Sequence, residues 1–246
     1  MLNTATHYKE RFYRQWVNFS DLYRYRISAQ ESDIEIFTDC ILEEEFLRKR
    51  VLFYRQQIKD YIVRDRRFLV WLKPLAVEKN TFPIVRDMAQ AAEIANVGPM
   101  ASVAGAIAQY LGKAVLAKGA KEVIVENGGD IFLKIRKTRF IGIYAGESKF
   151  SGKLFLKITP QQSIHGICTS SATVSHSLSF GNADAVTILA KDAIIADALA
   201  TAACNLVKTE NDFNRAIDFV KKIKMVYGII IILKDKLASW GKVEFV

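Results

Sequence analysis

The sequence predicts an α+β fold in which helices pack on a mostly antiparallel sheet. Predicted strands occur in consecutive runs and predicted helices occur in pairs, an order typical of layered α+β domains rather than of alternating βαβ units. The chain has 246 residues and only four prolines, and it has no low-complexity segment or linker. We therefore expect a single domain that spans residues 1–246.

The amino-terminal half is predicted to begin with a hairpin and to continue with helices. Hydrophobicity alternates over 21–39 on both sides of a turn at 28–33, which predicts two strands. Over 40–68 apolar residues recur every three to four positions, so we expect a long amphipathic helix, broken at one point. Two further helices are predicted over 84–95 and about 99–117.

The carboxyl-terminal half is predicted to consist mainly of strands. Five β-rich runs come first, at 121–127, 130–137, 139–146, 153–160 and 163–170. The later elements are a strand at 183–190, helices at 192–207 and 212–223, and strands at 225–235 and 237–246.

The composition indicates a globular chain with excess positive charge. Half of the residues are apolar and a quarter are charged, and the formal net charge is +9. This charge favours an anionic partner, which could be a nucleic acid, a phosphorylated cofactor or an acidic protein. A basic helix could form a nucleic-acid surface or simply a solvated face, but no nucleic-acid motif accompanies it, so nucleic acid is not the expected partner. Its basic residues are Arg48, Lys49, Arg50, Arg64, Arg66 and Arg67.

No segment has the pattern of a signal peptide or a membrane span. The longest apolar run, GIIIIL at 228–233, suits a buried strand, and the first sixteen residues carry charges where a signal peptide needs an apolar core. We therefore expect a cytoplasmic protein with no membrane partner. Cys40, Cys168 and Cys204 are widely spaced, so neither a zinc site nor a disulfide framework is expected.

Residues 126–131, ENGGDI, lie between two β-rich runs. Asn-Gly is a strong hairpin signal, and two adjacent glycines permit positive φ angles. The segment can therefore be a plain turn, or it can present exposed amides and the Asp130 carboxylate to a ligand.

The helix that begins at Gly98 and Pro99 has one face of small residues. Ala101, Ala104, Gly105 and Ala108 form this face, which can approach either a sheet or a ligand closely. The free amides at the start of the helix would suit a phosphate, and close packing without a ligand is the alternative.

The segment KDAIIADALATAACNL predicts a helix with Asp192 as its N-cap. Asp197 and Thr201 are four residues apart, so both project from one face. A carboxylate, a hydroxyl and a nearby carbonyl form an oxygen set of the kind that Mg²⁺ uses, with water and substrate phosphate completing it. An Asp197 side chain that simply hydrogen-bonds a loop is the alternative.

Residues 166–186 are rich in hydroxyl groups and contain Cys168 and His176. No GxSxG elbow is present, so a serine hydrolase is not expected. Cys168 could pair with His176 as a nucleophile, but a small buried side chain is the simpler interpretation. A pocket for a polyphosphate or a sugar accounts for the run as a whole.

Three motifs in this order resemble the ApbE-like superfamily, which includes the FAD:protein FMN transferases once called thiamine biosynthesis lipoproteins. The motifs are ENGGDI (126–131), CTSSATVSHSLSFG (168–181) and ADALATA (196–202). They are similar to the superfamily's GGD turn, its TSG-type stretch followed by a His, and its AD-x-x-x-T helix. With YRQW, ESDIEIF and VGPMASVAGAIA as well, the chain is identified as a member of uncharacterised protein family 0280.

The resemblance implies an ApbE-like fold that binds a small-molecule dinucleotide, either FAD or a related flavin nucleotide. It implies that Asp197 and Thr201 bind Mg²⁺, and that an acceptor protein is a second partner if the flavin is transferred. Asp130 or His176 would then accept or donate a proton. The residues implied to hold the flavin nucleotide are Asn127, Gly128, Gly129, Asp130, Thr169, Ser170 and Ser171.

The chain departs from the transferase pattern at several points. The transferases have an Ile-Asp-Pro segment after their histidine, whereas SLSFGNADAV follows His176 here. Ala172 occupies the place of the TSG glycine, and neither the flavin-stacking region nor the lipoprotein signal has a counterpart. A non-catalytic module that binds a flavin or another metabolite on the same scaffold is therefore the alternative function.

Overall fold

An antiparallel sheet of eight strands forms the centre of the protein, in a computed structural model that describes residues 19–30, 32–173 and 180–246. The spatial order of its strands is β1-β2-β3-β4-β7-β8-β9-β10, and β5 pairs with β6 in a separate hairpin. Every pair of neighbouring strands is antiparallel. The strands, numbered along the chain, are β1 (Tyr23–Ala29), β2 (Ser32–Thr38), β3 (Val123–Asn127), β4 (Asp130–Lys134), β5 (Arg139–Gly142), β6 (Phe155–Ile158), β7 (Gly166–Ser170), β8 (Ala185–Ala190), β9 (Val226–Leu233) and β10 (Lys236–Gly241).

The helices cover one face of this sheet, and the β5–β6 hairpin packs on the other. Because side chains alternate along a strand, each face contributes to its own apolar core. Phe132 lies in the core beneath the helices, whereas its neighbour Leu133 lies in the core beneath the hairpin. The helices are α1 (Glu44–Arg64), α2 (Arg67–Val70), α3 (Pro83–Ala95), α4 (Val103–Ala117), α5 (Ala193–Leu206) and α6 (Phe213–Lys221).

This architecture confirms the predicted α+β class with a mostly antiparallel sheet and packed helices. The long amphipathic helix is interrupted once, as expected, because the Asp65 carboxylate accepts the Arg67 backbone N–H at 3.0 Å and starts α2. The helix predicted over about 99–117 begins with a 3₁₀ turn, Pro99–Ser102, and continues as α4. Several predicted strands are shorter in the structure, for example 139–146, which forms a strand only over Arg139–Gly142.

The segment Pro99–Ala117 is the single helix, among the described residues, that is long and apolar enough to cross a membrane by length and composition. Half of it is buried within the protein. Its α4 portion packs against β3, β4 and α5. These contacts make it a core helix of the helical layer.

Helix α5 lies at the centre of the helical layer, where it contacts β7 and β8 below and α3, α4 and α6 beside it. Asp192 caps its start, because its Oδ1 accepts the backbone N–H groups of Ile194 and Ile195 at 3.0 and 3.1 Å. This confirms the predicted N-cap. The centre of the sheet, β4 and β7, thus lies directly under α4 and α5.

Candidate functional site

The ENGGD segment is a two-residue hairpin turn between β3 and β4. Gly128 and Gly129 have φ angles of 71° and 99°, which is the conformation that a tight hairpin of this length requires. The Asn127 side chain donates a hydrogen bond to the Ala104 carbonyl at 3.1 Å, so the turn is tied to the start of α4. The plain-turn interpretation is therefore correct for the backbone, and the turn also positions Asp130 beside the helices.

Asp130 is the first residue of β4, and its carboxylate points toward the helical layer. It pairs with Cys168 across the β4–β7 ladder, on the face where Phe132 also lies. Only 7% of Asp130 is exposed. Its Oδ1 atom is buried and has no hydrogen-bond partner among the described residues. A buried carboxylate oxygen without a donor is costly, so this oxygen is suited to contact an ion or a ligand.

The hydroxyl residues of β7 do not all face the same way. Ser170 lies on the helical side with Cys168, and its Oγ is likewise buried with no partner among the described residues. The Thr169 hydroxyl instead hydrogen-bonds the Thr187 hydroxyl at 2.8 Å, on the opposite face of the sheet. Ser171, just after the strand, accepts the backbone N–H of Thr173 at 3.1 Å. Thr169 can therefore approach a ligand on the helical side through its backbone alone.

Asp197 and Thr201 lie on the buried face of α5, as the four-residue spacing predicted. They are 8% and 9% exposed. The Asp197 Oδ2 atom accepts the backbone N–H of Gly105, in α4, at 2.8 Å. This contact needs glycine, because a Cβ at position 105 would lie 2.4 Å from the Ala193 carbonyl oxygen and 2.8 Å from the Asp197 Cβ.

Asp130 and Asp197 are close enough to influence each other's protonation. Burial raises the pKa of Asp197 to about 7, against hydrogen bonds from the Gly105 and Ala104 amides that lower it. Burial and the Asp197 charge raise the pKa of Asp130 well above its usual value, and the adjacent Cys168 thiol partly opposes this. Among the described residues, no basic side chain is a main cause of the pKa shift of either carboxyl group. Each of these two buried carboxylates therefore disfavours the charge of the other, and a bound cation would relieve that repulsion.

Cys168 has the environment of a buried structural side chain. It is fully buried, and its thiol donates a hydrogen bond to the Ala193 carbonyl at 3.3 Å. Burial, together with the Asp130 and Asp197 carboxylates, raises the pKa of the thiol well above its usual value. A thiolate nucleophile is therefore disfavoured. His176, the proposed partner of Cys168 and candidate proton carrier, lies outside the described residues.

The donor set of this pocket suits Mg²⁺ better than a transition metal. No group of three or more His, Cys, Asp or Glu side chains that could hold a metal ion occurs in the described part of the chain. Mg²⁺ binds through one or two carboxylates and keeps water and phosphate ligands. Asp197, Thr201 and the unpartnered Asp130 Oδ1 are oxygen donors of that kind. The buried, unsatisfied oxygens thus fit the ion that the resemblance implies.

Some residues of this pocket were missed in the sequence. Ala104 and Gly105 tie α4 to the turn and to Asp197, although the sequence indicated only a face of small residues that could pack closely. The signal was the glycine itself, since it is the one position on that face with no Cβ at all. We call the group of Asp130, Ser170, Asp197 and Thr201, with the turn at 127–130, the acidic pocket.

Comparisons with known proteins agree with this geometry. A family described as AbpE bacteria matches residues 14–222. The UPF0280 protein MJ1526 of Methanocaldococcus jannaschii is 43% identical over 229 residues, which cover 90% of this chain and 91% of that protein. The chain belongs to the ApbE-like UPF0280 family. A UPF0280 protein of Methanococcus aeolicus is 38% identical over 222 residues, covering 89% and 90% of the two chains.

Solved structures of similar fold include flavin transferases. The apo flavinyl transferase ApbE of Pseudomonas stutzeri matches this UPF0280 chain with a TM-score of 0.60 and 13% identity, covering 89% of this chain and 94% of that one. The flavin transferase ApbE of Vibrio cholerae matches with a TM-score of 0.58 and 13% identity, covering 89% and 96%. At this identity the likeness establishes the ApbE fold.

Proposed function

We propose that this UPF0280 chain binds a flavin nucleotide of the FAD type together with Mg²⁺ in the acidic pocket, and that it transfers FMN to an acceptor protein. The observation that carries the proposal is the pair of buried carboxylates, Asp130 and Asp197, beside which the described part of the chain places no basic side chain. The proposal is further supported by the flavin transferase names of the proteins that share the fold.

Each part of the pocket has a role in this proposal. Asp197 and Thr201 hold Mg²⁺, and the Asp130 Oδ1 atom faces the same region. The hairpin turn at 127–130, Ser170, Ser171 and the backbone of Thr169 hold the pyrophosphate and the sugar of the nucleotide. Glycines at the turn allow the ligand to approach the backbone closely.

Proton transfer is assigned to the chain's own groups. Burial raises the pKa of Asp130 well above its usual value, so this carboxyl holds a proton more readily than an ordinary aspartate, which suits a group that exchanges a proton with an acceptor hydroxyl. His176 is the alternative proton carrier predicted by the sequence. Mg²⁺, when bound, supplies charge stabilisation to the pyrophosphate oxygens.

A non-catalytic binding module is the second candidate function. The observation that favours it lies in the sequence, where SLSFGNADAV follows His176 without the transferases' Ile-Asp-Pro segment. In this case the same residues bind the nucleotide, and no bond is broken.

One assay separates these functions. The purified protein is incubated with FAD, Mg²⁺ and a flavin-acceptor protein, and both AMP release and protein-bound flavin are measured. Release of AMP with covalent flavin supports the transferase, and tight FAD binding without AMP supports the binding module. Neither function stands if FAD does not bind.

The carboxylate assignment has a matched control. Asp197→Asn is nearly isosteric and should abolish the Mg²⁺ dependence of FAD binding, measured by flavin fluorescence. Asp235→Asn removes the same charge from the exposed turn between β9 and β10, and should leave binding unchanged. Retention of Mg²⁺-dependent binding in Asp197→Asn would contradict the assignment.

A further inference from the structure

A second cavity opens at the other end of the α4–α5 pair, next to the start of α5. Its volume is about 260 Å³. Lysines from three separate elements line it, namely Lys113 of α4, Lys134 at the end of β4 and Lys191 just before α5. Gln109, Phe132 and His165 are also among its lining residues. We call it the lysine cavity.

The lysines of this cavity are not neutralised by the protein. All three are exposed, and none forms a salt bridge within the described part of the chain. The single acidic residue of the lining, Asp192, is already occupied as the cap of α5. Its Oδ2 atom also accepts the Gln109 side-chain amide at 2.6 Å. The cavity therefore carries net positive charge.

Among the other polar groups of the cavity, one ring nitrogen of His165 is available to a ligand. The His165 Nδ1 atom lies 2.9 Å from the Leu133 carbonyl, and because a carbonyl only accepts, Nδ1 carries the proton. The Nε2 atom has no hydrogen-bond partner among the described residues, so it can meet a polar group of a ligand. The amide of Ala193 at the start of α5 is taken by Gln109 Oε1 at 2.8 Å.

We propose that the lysine cavity binds a small phosphorylated molecule. Three ammonium groups from separate elements favour a phosphate over a single carboxylate, because a phosphate carries up to about two negative charges and three acceptor oxygens on one centre. The volume is slightly below the usual range of ligand pockets, about 300–1,000 Å³, so the compound has only a few carbons beside its phosphate. Phe132 and Leu116 give an apolar wall for that organic part.

The lysine cavity is separate from the acidic pocket. Asp192 and Asp197 are five residues apart on α5, which corresponds to about 7.5 Å along the helix axis. The buried side chains of Gln109 and Phe132 fill the space between α4, α5 and β4 at this level. This proposal therefore does not depend on the function proposed for the acidic pocket.

Calorimetric titration tests the proposal, with inorganic pyrophosphate, a triose phosphate and citrate as probes in low salt without Mg²⁺. We expect the two phosphorylated probes to bind, and citrate, which carries carboxylates alone, to bind much more weakly. A preference for pyrophosphate would identify a free polyphosphate site, and a preference for the triose phosphate would identify a phosphate ester site. Citrate binding as tight as that of both phosphates would overturn the phosphate assignment.

A charge-matched pair of variants tests the location. The cavity variant carries glutamine at Lys113, Lys134 and Lys191. The control variant carries glutamine at three exposed lysines elsewhere, Lys73, Lys208 and Lys222. Because all six lysines are exposed, both proteins should fold, and circular dichroism checks this. The cavity variant should bind pyrophosphate at least about tenfold more weakly, since each exposed ion pair contributes up to roughly fivefold.

Three results would overturn the location. The first is an unchanged affinity in the cavity variant, and the second is an equal loss in the control variant, which would indicate attraction to the overall charge. The third is loss of pyrophosphate binding in Asp197→Asn, which would move the probe to the acidic pocket. If the protein binds pyrophosphate but not FAD, the result supports the lysine cavity. It then contradicts only the function proposed for the acidic pocket.

Discussion

Two of the places where the protein buries carboxylates have opposite surroundings. Glu122, just before β3, is 3% exposed, and its Oε1 atom accepts the Nε–H of the buried Arg139 at 2.6 Å. The same guanidinium donates two more hydrogen bonds to Asp21, at 2.6 and 3.0 Å. Asp130 and Asp197 are buried to a similar degree, yet among the described residues only N–H and S–H groups approach them.

This difference separates a structural acid from a functional one. Where a buried carboxylate only supports the fold, the chain supplies a cation whose hydrogen bonds offset the loss of water. Among residues 19–30, 32–173 and 180–246 the acidic pocket has no such cation, and the Asp130 Oδ1 and Ser170 Oγ atoms have no hydrogen-bond partner. Buried carboxylates without a neighbouring cation are typical of sites that bind a ligand or an ion.

Removal of Arg139 should have the largest effect on stability. Arg139→Met leaves the buried Glu122 without its cation, which should lower the free energy of unfolding by about 3–5 kcal/mol. Urea unfolding measures this. Arg136→Met, at an exposed position of the same connection, should change stability by less than about 0.5 kcal/mol. Equal free energies of unfolding for the two variants would mean that the buried ion pair of Glu122 and Arg139 contributes no more stability than an exposed ion pair.

The acidic pocket should make the metal-free protein less stable as pH rises. Folded Asp197 has a pKa of about 7, above its unfolded value of 3.8, so the folded state retains a proton that the unfolded state releases. The resulting stability is complete below about pH 4 and is lost as pH rises through 7. We expect a loss on the order of 2–4 kcal/mol between pH 5 and 8 in EDTA.

Asp197→Asn should remove most of this slope, because an amide does not titrate. Chemical unfolding at several pH values measures both proteins. If the free energy of unfolding changed with pH equally in the wild type and the variant, the raised pKa of Asp197 would be contradicted. Added Mg²⁺ should restore wild-type stability at pH 8 if the proposed ion binds there.

Gly105→Ala should be intermediate in effect. The new Cβ would meet the Ala193 carbonyl at 2.4 Å, so α4 and α5 must separate. We expect a loss of about 2–3 kcal/mol in unfolding free energy and weaker FAD binding, because the Gly105 N–H no longer reaches Asp197. Gly119→Ala is the comparison, since its Cβ meets no atom within 4 Å and only its φ of 104° is unfavourable. Full FAD affinity in Gly105→Ala would show that this contact does not position Asp197.

Ser170→Ala should have the smallest effect on stability. Its buried hydroxyl has no partner among the described residues, so its removal should change the free energy of unfolding by between zero and about +1 kcal/mol. Ser102→Ala is the control, because the Ser102 hydroxyl is buried but donates to the Pro99 carbonyl at 2.9 Å, and its loss should destabilise by about 1 kcal/mol. Thermal unfolding compares them. A clear destabilisation by Ser170→Ala would indicate a structural hydroxyl.

Local features of the fold were predictable from the sequence. The Asn-Gly-Gly turn, a single break in the long helix and the cap at Asp192 each depend on residues close together in the chain, although the position of the break at Asp65 was not predicted. The shared face of Asp197 and Thr201 follows in the same way from helical spacing. These interactions leave a periodic or positional signal that can be recognised without the tertiary structure.

The contacts that assemble the pockets were not predictable. The hydrogen bond from Gly105 to Asp197 joins residues that are 92 positions apart, and the lysine cavity collects side chains from three elements. The orientation of Thr169 also escaped prediction. Strand alternation places it opposite Ser170, but only the tertiary structure shows which of the two faces carries the helices.

The two central strands, β4 and β7, are joined by the shortest ladder of the large sheet. It pairs Cα atoms at three positions, whereas the other ladders of this sheet pair five to seven. One half-sheet carries Asp130 and the other carries Ser170 and leads into Asp197, so a nucleotide or ion held by both would cross-link the halves. Amide protons along this junction should then exchange with deuterium more slowly when FAD and Mg²⁺ are present, far more than those at the outer edges of the sheet.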